Sequence, residues 1–416
     1  MSWRRRRADG SRLPAPDIPV DRIGVQPWMS AAPTRAVLAA LGGDGRFVGG
    51  CVRDALLGRA IGDVDIATPL PPEDVMRRLE AAKIKAVPTG LVHGTVTAVA
   101  PPRHFEITTL RRDVETDGRH ARVAFTADWA ADAARRDFTM NALFLDAEGN
   151  VFDPVGGLAD LRAGRVRFVG DPATRIREDV LRLLRFYRFH AHYGRGEADA
   201  AARAACRALA PLLPGLSGER VAAETLKLLG APDPLPSLKM MVEDAVLPIL
   251  LPEALRLDRL AALLPLEPAP DPLRRLGALI AGDPGALAER LRLSNEQRAR
   301  LAALAAPPWP VDLAGDDKTQ RRALYRLGAA RYRDLVLLSA AEAGRRDRLP
   351  ALLALAAEWQ PLVFPLKGRD VTALGAPAGK EVGRVLAELE QWWEAGDYRA
   401  DRRACLAELK RRLGRN

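Results

Sequence analysis

Two aspartates one residue apart, Asp63 and Asp65, are the residues of this chain best suited to holding hard cations. In a strand, alternate side chains share a face, so both carboxylates would point one way and Val64 and Ile66 the other. Oxygen donors arranged so suit a pair of Mg²⁺ ions, one activating an attacking hydroxyl and the other stabilising the leaving oxygens. Upstream, Gly49-Gly50 separates a short apolar run from a stretch of helical spacing. Side chain-free glycines let backbone N–H groups approach a phosphate, and a helix N-terminus favours anions. Arg135, Arg136 and Asp137 form a second group. Two guanidiniums can grip triphosphate oxygens, and a carboxylate can accept from ribose hydroxyls. A third group, Glu178, Asp179, Arg182 and Arg185, recurs at spacings of three and four, which would make one helical stripe. A carboxylate that only accepts, beside a guanidinium that only donates, suits the pairing edges of cytosine and adenine and repels uracil and guanine. Asp179 and Arg182 would be that pair, with Glu178 placed to orient Arg182. Each group also has a plain alternative: a turn, a solvated strand face, or a salt-bridged helix exterior.

The elements that must position these residues follow from periodicity. Arg46–Val48 reads as a strand, Cys51–Leu57 as a helix and Ile61–Thr68 as a second strand. A helix over Ala31–Leu41, with Pro33 in its first turn, precedes them and ends at Gly42-Gly43. Pro71–Ala82 is helical, and Ile84–Val87, Thr95–Ala100 and His104–Leu110 alternate like strands. Arg111–Asp128 has few apolar residues and no period, so it reads as a long loop. Asp132–Asp146 passes from helix to strand, and Asn150–Leu161 is a turn. From Ala173 onward the chain is nearly all helix: a capped helix starts at Ser217-Gly218-Glu219-Arg220, residues 240–253 read as one helix ending at proline, and Pro265–Leu273 is a linker. The expected class is an α+β head, a mixed sheet with helices, over 27–150. An all-α neck over 151–263 and an all-α body and tail over 264–416 follow it, and a disordered basic arm over 1–26 precedes it.

At 416 residues the chain has room for two to four domains. Its 48% hydrophobic and 28% charged content is that of a globular protein, without an apolar run of membrane-spanning length and without a visible signal peptide. Cys51, Cys206 and Cys405 are few, odd in number and far apart, which disfavours a disulfide framework or structural zinc and suits a cytoplasmic location. The net charge of +10 points to a polyanionic partner, although a composition rich in Ala, Leu, Arg and Pro accounts for part of it. Basic stretches at Lys318–Arg333, at Lys367-Gly368-Arg369-Asp370 and in the last fifteen residues, which hold six Lys or Arg against one Glu, are candidates for RNA backbone contacts.

The string GGCVRDALLGRAIGDVDIAT resembles the nucleotidyltransferase superfamily, in the branch of CCA-adding tRNA nucleotidyltransferases and bacterial poly(A) polymerases. RRDFTMNA matches that branch residue for residue, and EDVLR matches its E-D-x-x-R signature. The resemblance implies a catalytic set of Asp63, Asp65 and Glu106, Glu106 being otherwise an edge-strand surface carboxylate. Its nucleotide-binding set is Gly49, Gly50, Arg53, Arg135, Arg136, Asp137, Asn141, Glu178, Asp179, Arg182 and Arg185. The implied cofactor is two Mg²⁺, the substrates are CTP and ATP, and the partner is a tRNA 3′ end, with no membrane and no DNA expected. A loop at Arg111–Asp128 belongs, in the resembled enzymes, to the final A addition. Asp153 and Gly156-Gly157 would couple the head to the next domain. All five histidines lie at or before His192, so the His-Asp phosphohydrolase domain of some relatives is absent. The expected activity is addition of CMP, CMP and AMP with pyrophosphate release. A poly(A) polymerase using ATP alone and a catalytically silent RNA-binding protein are the alternatives.

Overall fold

Val64 and Ile66 are buried while Asp65 between them reaches the other face, and this alternation builds the centre of an eight-stranded sheet. In the computed structural model, which describes residues 15–117, 120–375 and 379–414, ten strands are present. They are β1 (Asp21–Arg22), β2 (Arg46–Val48), β3 (Val64–Thr68), β4 (Lys85–Gly90), β5 (Thr95–Ala100), β6 (Arg103–Thr109), β7 (Arg111–Asp117), β8 (His120–Phe125), β9 (Phe144–Leu145) and β10 (Asn150–Phe152). The sheet order is β1-β10-β9-β2-β3-β6-β5-β4, antiparallel throughout except for the parallel pair β3 and β6. Helices Ala32–Ala40 and Pro72–Ala81 pack on β5. Val48, Ala67, Leu110, Trp129, Phe144 and Phe152 form one buried cluster that fixes β2, β3, β9 and β10 against the helix Trp129–Ala134.

Four expectations for the head change. Asn150–Leu161, expected as a turn, opens with β10 and runs into the helix Gly157–Ala163. The arm read as disordered over 1–26 enters the sheet at Asp21–Arg22, which pairs with Val151 and Asn150; residues 1–14 lie outside the described residues. The strand carrying Asp65 starts at Val64, so Asp63 stands just before it. Arg111–Asp128 contains a hairpin, β7 with β8, registered from Arg111 opposite Phe125 to Asp117 opposite His120; residues 118–119 lie outside the described residues. Backbone pairing, which needs no apolar period, makes this ribbon, and so the pattern missed it.

The chain divides into two compact units, residues 1–254 with 290–292, and residues 255–289 with 293–416. In the first, the helices after the head include Pro172–Glu178, Leu181–Tyr193, Ala200–Leu209 and Gly218–Leu229. The single helix expected over 240–253 is instead two, Leu235–Glu243 and Leu247–Leu250, broken where Ala245 takes φ 56°. The break lets the buried Asp244 accept from Tyr187 Oη at 2.9 Å, from Arg203 and from Arg207. In the second unit, the expected linker Pro265–Leu273 is partly folded: buried Glu267 accepts from Arg274 and Arg275, and Arg274 also reaches Asp334 at 3.0 Å. Buried charges in that arrangement are tolerated because each is paired. Farther on, Val371, Val385, Leu389, Trp393 and Leu409 close a second core around the C-terminal helices.

Candidate active site

The parallel register of β3 and β6 sets Asp65 directly opposite Glu106, so two carboxylates share one place in the sheet. Asp63 lies exposed just ahead of β3. Burial, then Glu106 and Asp63, push the Asp65 carboxyl up to about 6, while Arg136 pulls the other way. Gly49 takes φ 73° and ψ −126°, and a Cβ there would lie 3.9 Å from both Asp65 Oδ2 and Arg136 Nη1. The glycine turn therefore brings bare backbone beside the carboxylates, a conformation other residues rarely adopt. Gly50 opens the helix Gly50–Leu56. Cys51 is buried there, and burial pushes its thiol up to about 11, which suppresses the thiolate. Among the described residues no three His, Cys, Asp or Glu side chains form a ready cage for an ion.

Arg135 and Arg136 owe their placement to a residue the sequence reading passed over. Asp132, 1% exposed, accepts from Arg135 Nε at 2.8 Å through one oxygen and from Arg136 Nε and Nη2 at 3.1 and 2.8 Å through the other. Burial alone would raise Asp132, but Arg136 and Arg135 outweigh it and hold the carboxyl below its usual range. The i, i+3 and i, i+4 spacing was the available signal. Asp137 accepts from Phe138 N at 2.8 Å and Asn141 Nδ2 at 3.0 Å on Oδ1, and from Arg185 Nε and Nη2 on Oδ2. These four bonds fill its acceptor positions. Asn141 in turn accepts from Arg53 Nη1 at 2.8 Å. Arg53 is 8% exposed; its Nε and Nη2 donate to Asp54, and its guanidinium lies 4.1 Å from the Tyr193 ring centre. Arg53 thus ties the helix Gly50–Leu56 to Asn141 and to the end of Leu181–Tyr193.

The third group is not one helical stripe. Pro172–Glu178 ends at Asp179, which is extended at φ −153° and ψ 105°, and Leu181 opens the next helix. The four residues still come together, across the break. Glu178 accepts from Arg175 at 2.8 Å and from Arg182, whose guanidinium also donates to the Arg175 carbonyl at 3.1 Å and the Arg135 carbonyl at 3.3 Å. Glu178 is thus bonded to the Arg182 guanidinium across the break. Asp179 instead pairs with Arg220, whose Nη2 donates to both of its oxygens at 2.9 Å. Arg185 reaches Asp137 and stands 3.8 Å from Glu224, which also holds Arg188.

The sequence from 45 to 167 matches the model of the poly A polymerase head domain, and 199–257 matches the model described as a probable RNA and SrmB-binding site of polymerase A. The mouse protein named CCA tRNA nucleotidyltransferase 1, mitochondrial, is 34% identical over 386 residues, spanning 88% of this chain and 86% of its own length. The chain belongs to the CCA tRNA nucleotidyltransferase family. A CCA-adding enzyme of Geobacillus stearothermophilus is 42% identical over 207 residues, about half of each chain. A crystal structure of the Bacillus stearothermophilus CCA-adding enzyme in complex with CTP superposes with a TM-score of 0.75 at 31% identity, covering 92% of this chain and 98% of that one.

Within this family the head model contains Asp63, Asp65, Glu106 and the Arg135–Asp137 group, whereas Glu178, Asp179, Arg182 and Arg185 fall between the two matched segments. Arg220 and Glu224 lie in the second. Their pairing with residues some 40 positions earlier depends on helix packing. No spacing rule announces such a contact.

Proposed function

We propose that this protein adds CMP twice and AMP once to tRNA 3′ ends, using CTP and ATP and releasing pyrophosphate. The observation that carries the proposal is the similarity to enzymes named for CCA addition across 88% of the chain, well beyond the catalytic head. Asp63, Asp65 and Glu106 supply hard oxygens crowded enough to push Asp65 upward, a charge excess that a divalent cation relieves. They do not enclose an ion, which fits Mg²⁺, a metal that keeps waters and phosphate oxygens as ligands. Bound there, Mg²⁺ ions would lower the pKa of the primer hydroxyl and neutralise charge on the phosphates. Arg135 and Arg136, with their guanidiniums aligned by Asp132, meet the triphosphate beside the Gly49-Gly50 backbone. Asp179 accepts the amino group of cytosine or adenine, and Arg182 donates to the ring nitrogen. Asp137, its acceptors filled, acts through Arg185 and Asn141; a ribose hydroxyl reaches it only where Arg185 yields. Arg53 positions Asn141 from below.

Residues 264–416 contribute basic surface to the tRNA backbone. Three free, buried cysteines and the lack, among the described residues, of any helix able to cross a membrane suit the cytoplasm.

The test is tRNA lacking its 3′ end, incubated with each labelled nucleotide in turn. CTP should be incorporated twice and ATP once after it. Long tails from ATP alone would instead identify a poly(A) polymerase, the reading that the name of the matched head model favours. Binding of tRNA without any transfer would identify an inactive RNA-binding protein.

A further inference from the structure

The base-reading carboxylate has a partner the proposed chemistry does not use. Asp179 stands extended between two helices, about one-third exposed, where apart from Arg220 its side chain is held, among the described residues, by a single 3.2 Å contact to the first N–H of the helix Leu181–Tyr193. Arg220 Nη2 lies 2.9 Å from both Oδ1 and Oδ2 and donates to the pair in a bifurcated contact. Leu181 N donates to Oδ1 at 3.2 Å. Of the four lone-pair positions on a carboxylate, these contacts take two on Oδ1 and one on Oδ2, leaving one on Oδ2 among the described residues. One turn along the same helix, Glu224 holds Arg185 and Arg188 of Leu181–Tyr193, which fixes the register of Gly218–Leu229 and so the reach of Arg220. Arg182 is held separately, by Glu178 and two carbonyls, so the two halves of the proposed base contact are fastened by different elements.

We infer that Arg220 is a specificity-determining positioning residue: it clamps the Asp179 carboxylate so that a single acceptor position faces the base. The inference rests on the proposed reading of Asp179 and Arg182 as the base-selecting pair. A clamped acceptor takes an amino hydrogen from cytosine or adenine and meets the O4 of uracil as lone pair against lone pair. An unclamped carboxylate rotates and recruits water, and a bridging water can donate to O4 and admit uracil. Arg220 thus acts on discrimination between bases more than on turnover.

The experiment compares kcat/KM for CTP, ATP and UTP on tRNA lacking its 3′ end, in the full-length protein and in Asp179→Ala, Arg220→Met and Arg220→Lys. Arg220→Met should lower the CTP-to-UTP preference about tenfold, with CTP and ATP falling together, as expected for loss of one charge-assisted bond. Arg220→Lys restores a cation with donors on a flexible stem and should recover part of the preference. The preference for CTP over dCTP should stay as in the unaltered protein in both variants, a readout that general loosening would move. If Arg220→Met slows all nucleotides by one common factor while Asp179→Ala does shift base preference, the clamp is refuted and the base-selecting pair stands. If Asp179→Ala leaves base preference unchanged, the pair itself is wrong and the clamp falls with it. Should Arg220→Met fold poorly, Arg220→Lys and Arg220→Gln decide together: the clamp stands if Arg220→Lys keeps part of the CTP-to-UTP preference that Arg220→Gln, shorter and uncharged, loses, and it is refuted if the two variants show the same preference.

Discussion

Asp65 concentrates the residue-scale consequences, because its ionisation is opposed by burial, by Glu106 and by Asp63. A carboxyl whose folded value is about 6 against the usual 3.8 stabilises the folded protein below the lower value, and that contribution is lost as pH rises through the higher one. Mg²⁺ needs the carboxylate, so its stabilising effect should grow over the same interval. The Tm gain on adding Mg²⁺ should be larger at about pH 7.5 than at about pH 5, and Asp65→Asn should flatten that difference. An equal gain at both pH values would remove Asp65 from the metal site. Asp63→Ala and Asp65→Ala should each abolish transfer while leaving tRNA binding nearly intact, measured by single-turnover extension and by filter binding. Asp132 makes a separate prediction. Replacing it by Asn leaves two guanidiniums without their buried counter-charge, so stability should drop by about 3 kcal/mol and KM for CTP should rise, since Arg135 and Arg136 lose their alignment. An unchanged KM would mean that these arginines do not touch the nucleotide.

At the scale of elements, the turn after β10 fastens the head to the helices that follow. Asp153, 4% exposed, accepts from Gly156 N at 2.8 Å, Gly157 N at 2.7 Å and Leu158 N at 3.0 Å, and so caps the helix Gly157–Ala163. A Cβ on Gly157 would come 2.0 Å from the Thr139 carbonyl, and Thr139 Oγ1 donates to Asp160 at 2.7 Å. Gly157→Ala must therefore push apart the helix and the segment that carries Asn141. We expect a loss of roughly 2–4 kcal/mol in denaturant unfolding, accompanied by reduced transfer. A variant as stable as the parent would show that this contact relaxes at no cost. The coupling expected of Asp153 and Gly156-Gly157 thus has a physical form in the cap and the close backbone approach.

For the whole molecule, the net charge of +10 bears on the tRNA. Phosphate contacts release counterions, so tRNA binding should weaken about a hundredfold or more between about 50 and about 200 mM salt, while KM for CTP, dominated by contacts in the first unit, should move only a few-fold. A salt-insensitive tRNA affinity would locate recognition in apolar or stacking contacts. The second unit also shows why basic composition is a poor guide to RNA contacts. Many of its arginines are spent internally: Arg274 and Arg275 on Glu267, Arg300 on Asp271 and Asp334, and Arg326 on Glu394.

The sequence by itself determined the α+β class of the head, most of its central strands and helices, and the spacing of the three motifs, because side-chain period and local residue type decide those. The parallel register that puts Asp65 against Glu106 was legible only as a resemblance, since strand pairing joins residues far apart in the chain. Tertiary structure alone decided the rest. It broke the expected stripe at Asp179 and the helix at Ala245, where buried or cross-helix ion pairs outweigh continued helix. It drew Arg53 inward onto Asp54, Asn141 and Tyr193, and it supplied Asp132 and Arg220 as the residues that hold the site's charged groups in place. A charged side chain takes whichever partner the packing brings within reach, and spacing along the chain does not say which that will be.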